Sequence, residues 1–190
     1  LSWGVPDTIV ASGGPGGTLR RLPAAGGPAV VFTTVDAARG HLGHSAPELL
    51  PDGRTVLFTV SAVDGAHVAV TSIDGGPTTI LTRGRQPRLL ASGQLVFARD
   101  RGLWSAPLDV RARRLTAEPV QVLDGVERSA LNAFVHFAVA DEGTLLYIPW
   151  RERSGLTTLT WHDRAGRALG VAREARGITR FSLSPDGGQV

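Results

Sequence analysis

The chain has 190 residues, which is long enough to bury a hydrophobic core within one domain. Its 42% hydrophobic and 19% charged residues are typical of a folded globular protein and argue against disorder. There is no lysine and no cysteine, so Schiff-base lysines, P-loop lysines, disulfides and thiolate metal sites are all excluded, and the formal net charge is +3.

The arginines fall one or two per loop, and the densest group, Arg111, Arg113 and Arg114, has no aromatic neighbour. Sequence-independent nucleic-acid binding combines a basic groove with aromatic stacking platforms, so we expect no nucleic-acid partner. The apolar runs are far shorter than the roughly 20 residues that cross a bilayer as a helix, so we also expect no membrane insertion.

In chain order, one turn recurs between two apolar runs. Its copies are "VPDTIV" at Val5–Val10, "LLPDGRTVLF" at Leu49–Phe58, "LLASGQLVF" at Leu89–Phe97, "VADEGTLLY" at Val139–Tyr147 and "LSPDGGQV" at Leu183–Val190. Such a turn between apolar runs indicates a β-hairpin, because glycine accepts the positive φ of a tight turn. A recurrence of about 40 to 50 residues is the period of a propeller blade.

These repeats predict an all-β chain, a β-propeller of four-stranded antiparallel blades, with about four blades plus partial terminal blades. The predicted blades are 1–44, 45–83, 84–126, 127–176 and a partial blade 177–190, within a single domain, 1–190. The predicted strands are Ser45–Leu50, Thr55–Val60, His67–Ile73 and Thr78–Thr82; then Gln86–Leu90, Gln94–Ala98, Leu103–Leu108 and Val120–Leu123; then Phe134–Val139, Thr144–Pro149, Leu156–His162 and Ala168–Val171.

The two ends of the chain are predicted to be complementary. Residues 1–34 supply three strands without an innermost one, whereas residues 177–184 supply an innermost strand with little after it. Either the two partial blades pair with each other and close a small ring, or they pair between two copies. Because an open sheet edge invites another strand, we expect a homo-oligomer joined through these partial blades, or an open form with capped edges, rather than a monomeric ring of four blades. We also expect the chain to be a piece of a longer protein.

The repeats resemble the TolB-like (WD-repeat-like) β-propeller family, and especially the propeller that follows the membrane span of certain bacterial eukaryotic-like serine/threonine kinases. The resemblance rests on "LLPDGRTVLFT", "LSPDGGQV", "LPAAGGP", "SIDGGP" and "LTAEPVQVLDGV". It implies an extracytoplasmic interaction or sensing module, located in the periplasm or outside the cell. No kinase motif is present.

The loops that join each outer strand to the next inner strand form the predicted binding face. They span 35–44, 83–85, 125–132 and 173–177, and their arginines Arg39 and Arg85 are candidate ligand-binding residues. Function tends to lie on loops held by a rigid scaffold, so we expect a protein or small-molecule ligand here.

Period-two alternation along the inner strands predicts a polar ring around the channel. Its members are Glu48, Arg88, His136 and Arg180. The ring is a candidate ligand-binding pocket. The alternative is that these side chains pair with one another as buried ion and hydrogen-bond partners.

A complete catalytic motif is absent, because Ser12, Ser92 and Ser154 precede glycine without the matching glycine of a nucleophile elbow. We therefore favour a binding module without a cofactor.

The alternative is a calcium-assisted lactonase or esterase at the propeller channel. In that reading His41, His44 or His136 is the general base, and Asp36 or Glu48 is a metal ligand. Against it, Glu48 is the only carboxylate among the predicted channel positions.

Overall fold

The computed structural model describes residues 1–4, 7–129, 134–150, 156–162 and 167–176. Every strand pair in these ranges is antiparallel, and the helices are two single 3₁₀ turns. No helix among the described residues is long and apolar enough to cross a membrane. The chain divides into two compact units, 1–150 and 151–190, which are described separately below.

The first sheet has four strands in sequence order. They are β1 (Ser2–Gly4), β2 (Thr8–Ser12), β3 (Leu19–Pro23) and β4 (Val30–Val31). The expectation that this sheet lacks its innermost strand is therefore wrong. The Ser2 hydroxyl accepts a hydrogen bond from the Leu49 N–H at 3.0 Å, so β1 is held against the next sheet although it is only three residues long. The predicted homo-oligomer rested on two partial blades, and the first of them has a complete set of four strands.

The second sheet also has four strands in sequence order. They are β5 (His41–Leu49), β6 (Thr55–Ala62), β7 (Gly65–Ser72) and β8 (Thr79–Arg83). Strand β5 begins at His41 rather than at Ser45, so the assignment of His41 and His44 to a connecting loop is wrong. A 3₁₀ turn ends at Gly40, whose φ of 73° reverses the chain so that His41 already pairs with Ala62.

The third sheet begins with a strand next to β5. Its strands are β9 (Arg85–Leu89), β10 (Gln94–Arg99), β11 (Gly102–Asp109), β12 (Arg114–Leu115) and β13 (Val120–Leu123). Both β12 and β13 pair with β11, at different parts of its length. The short β12 was not predicted from the sequence.

Both inner strands, β5 and β9, carry a β-bulge at the same position. Ala46 and Gln86 have positive φ angles of 46° and 51°, and a proline follows each. The three steps from Ser45 to Glu48 in β5 oppose only two steps in β6, and β9 shows the same excess of one residue against β10. An extra residue reverses which side chains face the neighbouring sheet. The simple period-two alternation that we predicted for these strands is therefore interrupted.

The rest of the first unit contains one hairpin, β14 (Phe137–Val139) with β15 (Leu145–Tyr147). In the second unit, β16 (Leu156–His162) pairs with β17 (Ala168–Arg176). The predicted partial blade 177–190, which contains Arg180, lies outside the described residues.

Three apolar clusters pack successive sheets of the first unit together. Val10, Leu19 and Phe58 belong to the cluster between the first and second sheets, and Leu57, Val70 and Phe97 belong to the cluster between the second and third. Leu103, Val126 and Val135 belong to the third cluster. The first strands β1, β5 and β9 lie side by side. The predicted all-β fold of four-stranded antiparallel sheets is confirmed.

Candidate functional site

The inner strands β5 and β9 have two chemically different ends. At the loop end, where these strands begin, lie the β8–β9 junction and the β6–β7 and β10–β11 turns. At the turn end, where they finish, lie the recurring hairpin turns after Leu49 and Leu89. A cavity opens at each end, and the two cavities have different linings.

The loop end contains a cavity of about 450 Å³, which we call the arginine pocket. Its charged lining residues are Asp64, Arg83, Arg85, Arg99, Asp100 and Arg128. A smaller adjoining cavity of about 280 Å³ shares Gly65, Ala66 and Arg85 with it. Three separate loops and Arg128 thus converge on one opening, and the predicted ligand-binding residue Arg85 lines both of its parts.

Two arginines of the pocket are fixed by hydrogen bonds to the main chain. The Arg83 guanidinium donates to the Asp64 carbonyl at 2.5 Å, and Arg99 Nε donates to the Arg83 carbonyl at 3.2 Å. The Arg99 guanidinium also lies 4.7 Å from the ring centroid of Trp104, within the range of a cation–π contact. These side chains are therefore positioned before any ligand arrives.

Arg85 is held near another positive charge. Its burial, followed by repulsion from the Arg128 guanidinium, lowers the pKa of the Arg85 side chain from its ordinary value. The group remains protonated at neutral pH, because arginine titrates so far above it. The pocket therefore brings like charges together in partly desolvated surroundings.

The turn end contains a larger opening of about 630 Å³, which we call the turn-end cleft. Its polar lining comes from Ser2, Asp7, Glu48, Arg88 and Asp141, and the indole of Trp3, which is 65% exposed, also lines it. The structure thus brings together two members of the predicted polar ring, Glu48 and Arg88.

The Glu48 carboxylate is the most perturbed acid of the cleft. Burial raises its pKa to about 7, against the opposing effect of the Arg88 charge. Its two oxygens accept the Leu89 N–H at 3.0 and 3.2 Å. A carboxyl group with a pKa near 7 can both donate and accept a proton at neutral pH.

Trp3 and Asp141 were missed in the sequence analysis. Because "VPD" at 5–7 corresponds to "LPD" at 50–52, the repeat places Trp3 at the position of Glu48 and Arg88. The repeat alignment therefore predicts Trp3 as a fifth member of the ring. Asp141 comes from the turn after β14, whose approach to the cleft depends on the packing of the inner strands.

The other two members of the predicted ring do not join the cleft in the described residues. His136 is exposed, and its N–H donates to the Glu127 carbonyl at 2.9 Å. Arg180 lies outside the described residues. The alternative of mutual ion pairing is not seen for Glu48 and Arg88: the Arg88 guanidinium donates to the carbonyl of its own neighbour Pro87 at 3.1 Å.

His44 lies in the core between the first two sheets. Its side chain is 4% exposed, its Nδ1 lies 3.0 Å from the Thr33 hydroxyl, and its ring packs edge-on against Phe58 at 4.9 Å. Burial, followed by the charge of His41, lowers the pKa of His44 to about 4. The predicted general base is therefore a neutral core residue without access to a substrate.

The predicted metal ligands Asp36 and Glu48 lie at opposite ends of β5. The Asp36 carboxylate pairs with Arg39 at 3.3 Å, and its carbonyl accepts the His41 N–H at 3.1 Å. Seven steps of extended chain separate His41 from Glu48, or roughly 20 Å. The two carboxylates cannot share one ion. Among the described residues, no group of three histidines or acids is placed to hold a metal.

The architecture is found in solved structures. The chain is similar to the calcium-binding protein regucalcin of Agrobacterium tumefaciens, at 14% identity and a TM-score of 0.51, over 89% of this chain and 57% of that chain. It is also similar to the GH43 protein BlXynB of Bacillus licheniformis, at 14% identity and a TM-score of 0.40, over 78% of this chain and 32% of that chain.

The likeness to regucalcin establishes the fold class as a β-propeller, and this chain spans 57% of the length of that protein. At 14% identity it establishes the fold alone. No protein-family model matches the chain, and no curated protein matches it significantly.

Proposed function

We propose that this chain is a propeller module without catalytic activity, which binds a protein or small-molecule ligand through the loop end of its inner strands. The observation that carries the proposal is the arginine pocket, where three loops and Arg128 surround a cavity of about 450 Å³. Ligand pockets in proteins commonly have volumes of roughly 300 to 1,000 Å³.

The lining of the pocket favours binding over catalysis. Arginine side chains hold a ligand through charge and planar hydrogen-bond geometry, but they do not exchange protons near neutral pH. The carboxylate of Asp64, an acid of the lining, already lies 2.9 Å from the His67 ring nitrogen. The resemblance of the repeats to TolB-like propellers supports a periplasmic or extracellular location.

The experiment is a ligand screen by two-dimensional NMR on the isotope-labelled chain, with amino acids, monosaccharides, organic acids and phosphorylated metabolites as probes. Ligands that bind should shift the amide signals of the arginine pocket, such as those of Gly65, Gly84 and Arg99. The proposal is wrong if no probe binds, or if every ligand shifts only the signals around Glu48.

A second candidate function has its site at the turn-end cleft. There Glu48, with a pKa of about 7, lies in an opening of about 630 Å³ that also contains Asp141. This arrangement supports a hydrolase that acts on lactones or esters, with Glu48 as general acid or base. In the calcium-assisted form of this function, Glu48 and Asp141 would be the protein ligands of the ion.

The test is hydrolysis of p-nitrophenyl acetate and of a δ-lactone, with calcium and with a chelator. Turnover that is lost in Glu48→Gln and kept in Glu142→Gln, an exposed acid outside the cleft, would establish the hydrolase. Absence of turnover, together with a melting temperature that calcium does not change, would eliminate it.

A homo-oligomer remains part of the proposal. The apolar side chains on both faces of β15 support it, because Leu145, Leu146 and Tyr147 are all exposed in the single chain. Molar mass in solution tests it directly.

A further inference from the structure

The arginine pocket carries more positive than negative charge. Four guanidinium groups face two carboxylates, so the lining has a formal excess of two positive charges. One carboxylate, Asp64, is engaged on both oxygens: Oδ1 lies 2.9 Å from the His67 ring and Oδ2 lies 3.9 Å from Arg83. Its negative charge is thus shared with a residue outside the pocket lining.

Two of the arginines keep hydrogen-bond donors beyond those that fix them. A guanidinium has five N–H donors. The Arg99 side chain uses donors to the Arg83 carbonyl at 3.2 Å and to the Thr82 hydroxyl at 2.9 Å, and Arg83 uses one to the Asp64 carbonyl. Donors held in place in this way bind an oxyanion with little further loss of side-chain entropy.

The guanidinium groups of Arg85 and Arg128 carry like charges that repel each other. Repulsion from Arg128 adds to the effect of burial on Arg85. A negative group between the two side chains would replace this repulsion by two attractions.

We infer that the arginine pocket is an oxyanion site, which binds the phosphate or carboxylate group of a ligand through Arg85 and Arg128 with support from Arg83 and Arg99. This inference rests on the proposed function and specifies the chemical class of its ligand. The planar fork of arginine matches both oxyanions, and phosphate, with more charge, binds more tightly.

The experiment is calorimetric titration with inorganic phosphate, phosphoserine and acetate at constant ionic strength and neutral pH. We expect saturable binding with one site, in the order phosphoserine and phosphate above acetate. Arg128→Gln should weaken phosphate about tenfold, the effect of losing one charged hydrogen-bonding partner. Because Arg128 is exposed, its replacement leaves the core intact.

Two further variants make the result specific. Arg111→Gln removes the same charge from an exposed loop outside the pocket, and it should change phosphate binding less than about twofold, because distant charges are screened. Arg85→Lys keeps the charge but loses the planar fork, and it should weaken binding more than Arg111→Gln does.

The inference is overturned if phosphate does not saturate, or if Arg111→Gln weakens it as much as Arg128→Gln does. If neutral compounds shift the signals of the pocket in the NMR screen and no oxyanion binds, the proposed binding function is retained and the oxyanion inference is wrong. A lack of binding by any probe would remove both.

Discussion

Two side chains of β5, the buried His44 and the partly buried Glu48, titrate in opposite senses over nearly the same pH range. Burial lowers the pKa of His44 from 6.5 to about 4, with the charge of His41 as the second cause. Burial raises the pKa of Glu48 from 4.5 to about 7. Replacing one of them at a time should therefore reveal the pH dependence that the other contributes to the free energy of unfolding.

The signs follow from which state binds more protons. Between pH 4 and 6.5 the unfolded chain protonates His44 and the folded chain does not, so this residue makes stability fall as the pH falls. Between pH 4.5 and 7 the folded chain keeps the Glu48 proton and the unfolded chain loses it, so this residue makes stability fall as the pH rises. Each slope is about 1.4 kcal/mol per pH unit.

The two contributions cancel where the ranges overlap, from pH 4.5 to 6.5. Over two pH units each amounts to about 3 kcal/mol. We expect the combined contribution of His44 and Glu48 to change the free energy of unfolding of the wild type by less than about 1 kcal/mol across this range. From pH 4.5 to 6.5, the free energy of unfolding of His44→Gln should fall by about 3 kcal/mol, and that of Glu48→Gln should rise by about 3 kcal/mol.

Urea denaturation at half-unit pH steps measures these slopes. The difference between each variant and the wild type isolates the contribution of one residue from those of all other titratable groups. Glutamine retains an acceptor at both positions, so the slope is separated from the loss of a hydrogen bond. Variants whose curves run parallel to the wild type, or that both change in the same direction, would refute the reasoning.

Three further substitutions test the packing that forms the two ends. Gly84→Ala should lower the free energy of unfolding by about 3 kcal/mol by urea denaturation, because φ is 144° and the new Cβ would overlap the Phe97 ring. Gln86→Ala should cost about 2 kcal/mol in the same assay, since its side chain accepts from the Val135 N–H at 2.5 Å and donates to the Val135 carbonyl at 3.0 Å. Asp52→Ala should cost about 1 kcal/mol, measured as a lower melting temperature, because its carboxylate accepts two backbone amides and one hydroxyl of its own hairpin.

The hairpin repeats were sufficient to predict the fold class and most strand positions. The observed β13 coincides with its prediction, and β6 and β10 begin at the predicted residues. Local turn chemistry determines these elements, so a sequence pattern can locate them. The same pattern indicated that Glu48 and Arg88 share one side of their strands, and both line the turn-end cleft.

The remaining features depend on contacts between distant residues. Strand β1 has only three residues, and the hydrogen bond from Leu49 to Ser2 that holds it joins positions 47 apart. The arginine pocket also requires Arg99, at the end of β10, to approach the β8–β9 junction, and no local spacing encodes that approach. His44 was assigned to the loop 35–44, yet its ring packs in the core beside Phe58.

The β-bulges of β5 and β9 change which side chains are buried on the two sides of the bulge. In β5 the buried positions His44 and Pro47 are three residues apart, and the buried Gly84, which directly precedes β9, shows the same spacing to Pro87. Uninterrupted alternation would place buried residues two apart, so one extra residue has been inserted in each strand.

As a result, neither of the two consecutive residues Arg85 and Gln86 is buried against the neighbouring sheet, and their side chains make different contacts. Arg85 lines the arginine pocket, while the Gln86 side chain ties its strand to Val135 of the next inner segment. Holding Gln86 at a φ of 51° costs energy, since a residue with a Cβ disfavours the left-handed region. The hydrogen bonds to Val135 offset that cost, and they fix the strand whose first residue is the proposed oxyanion ligand.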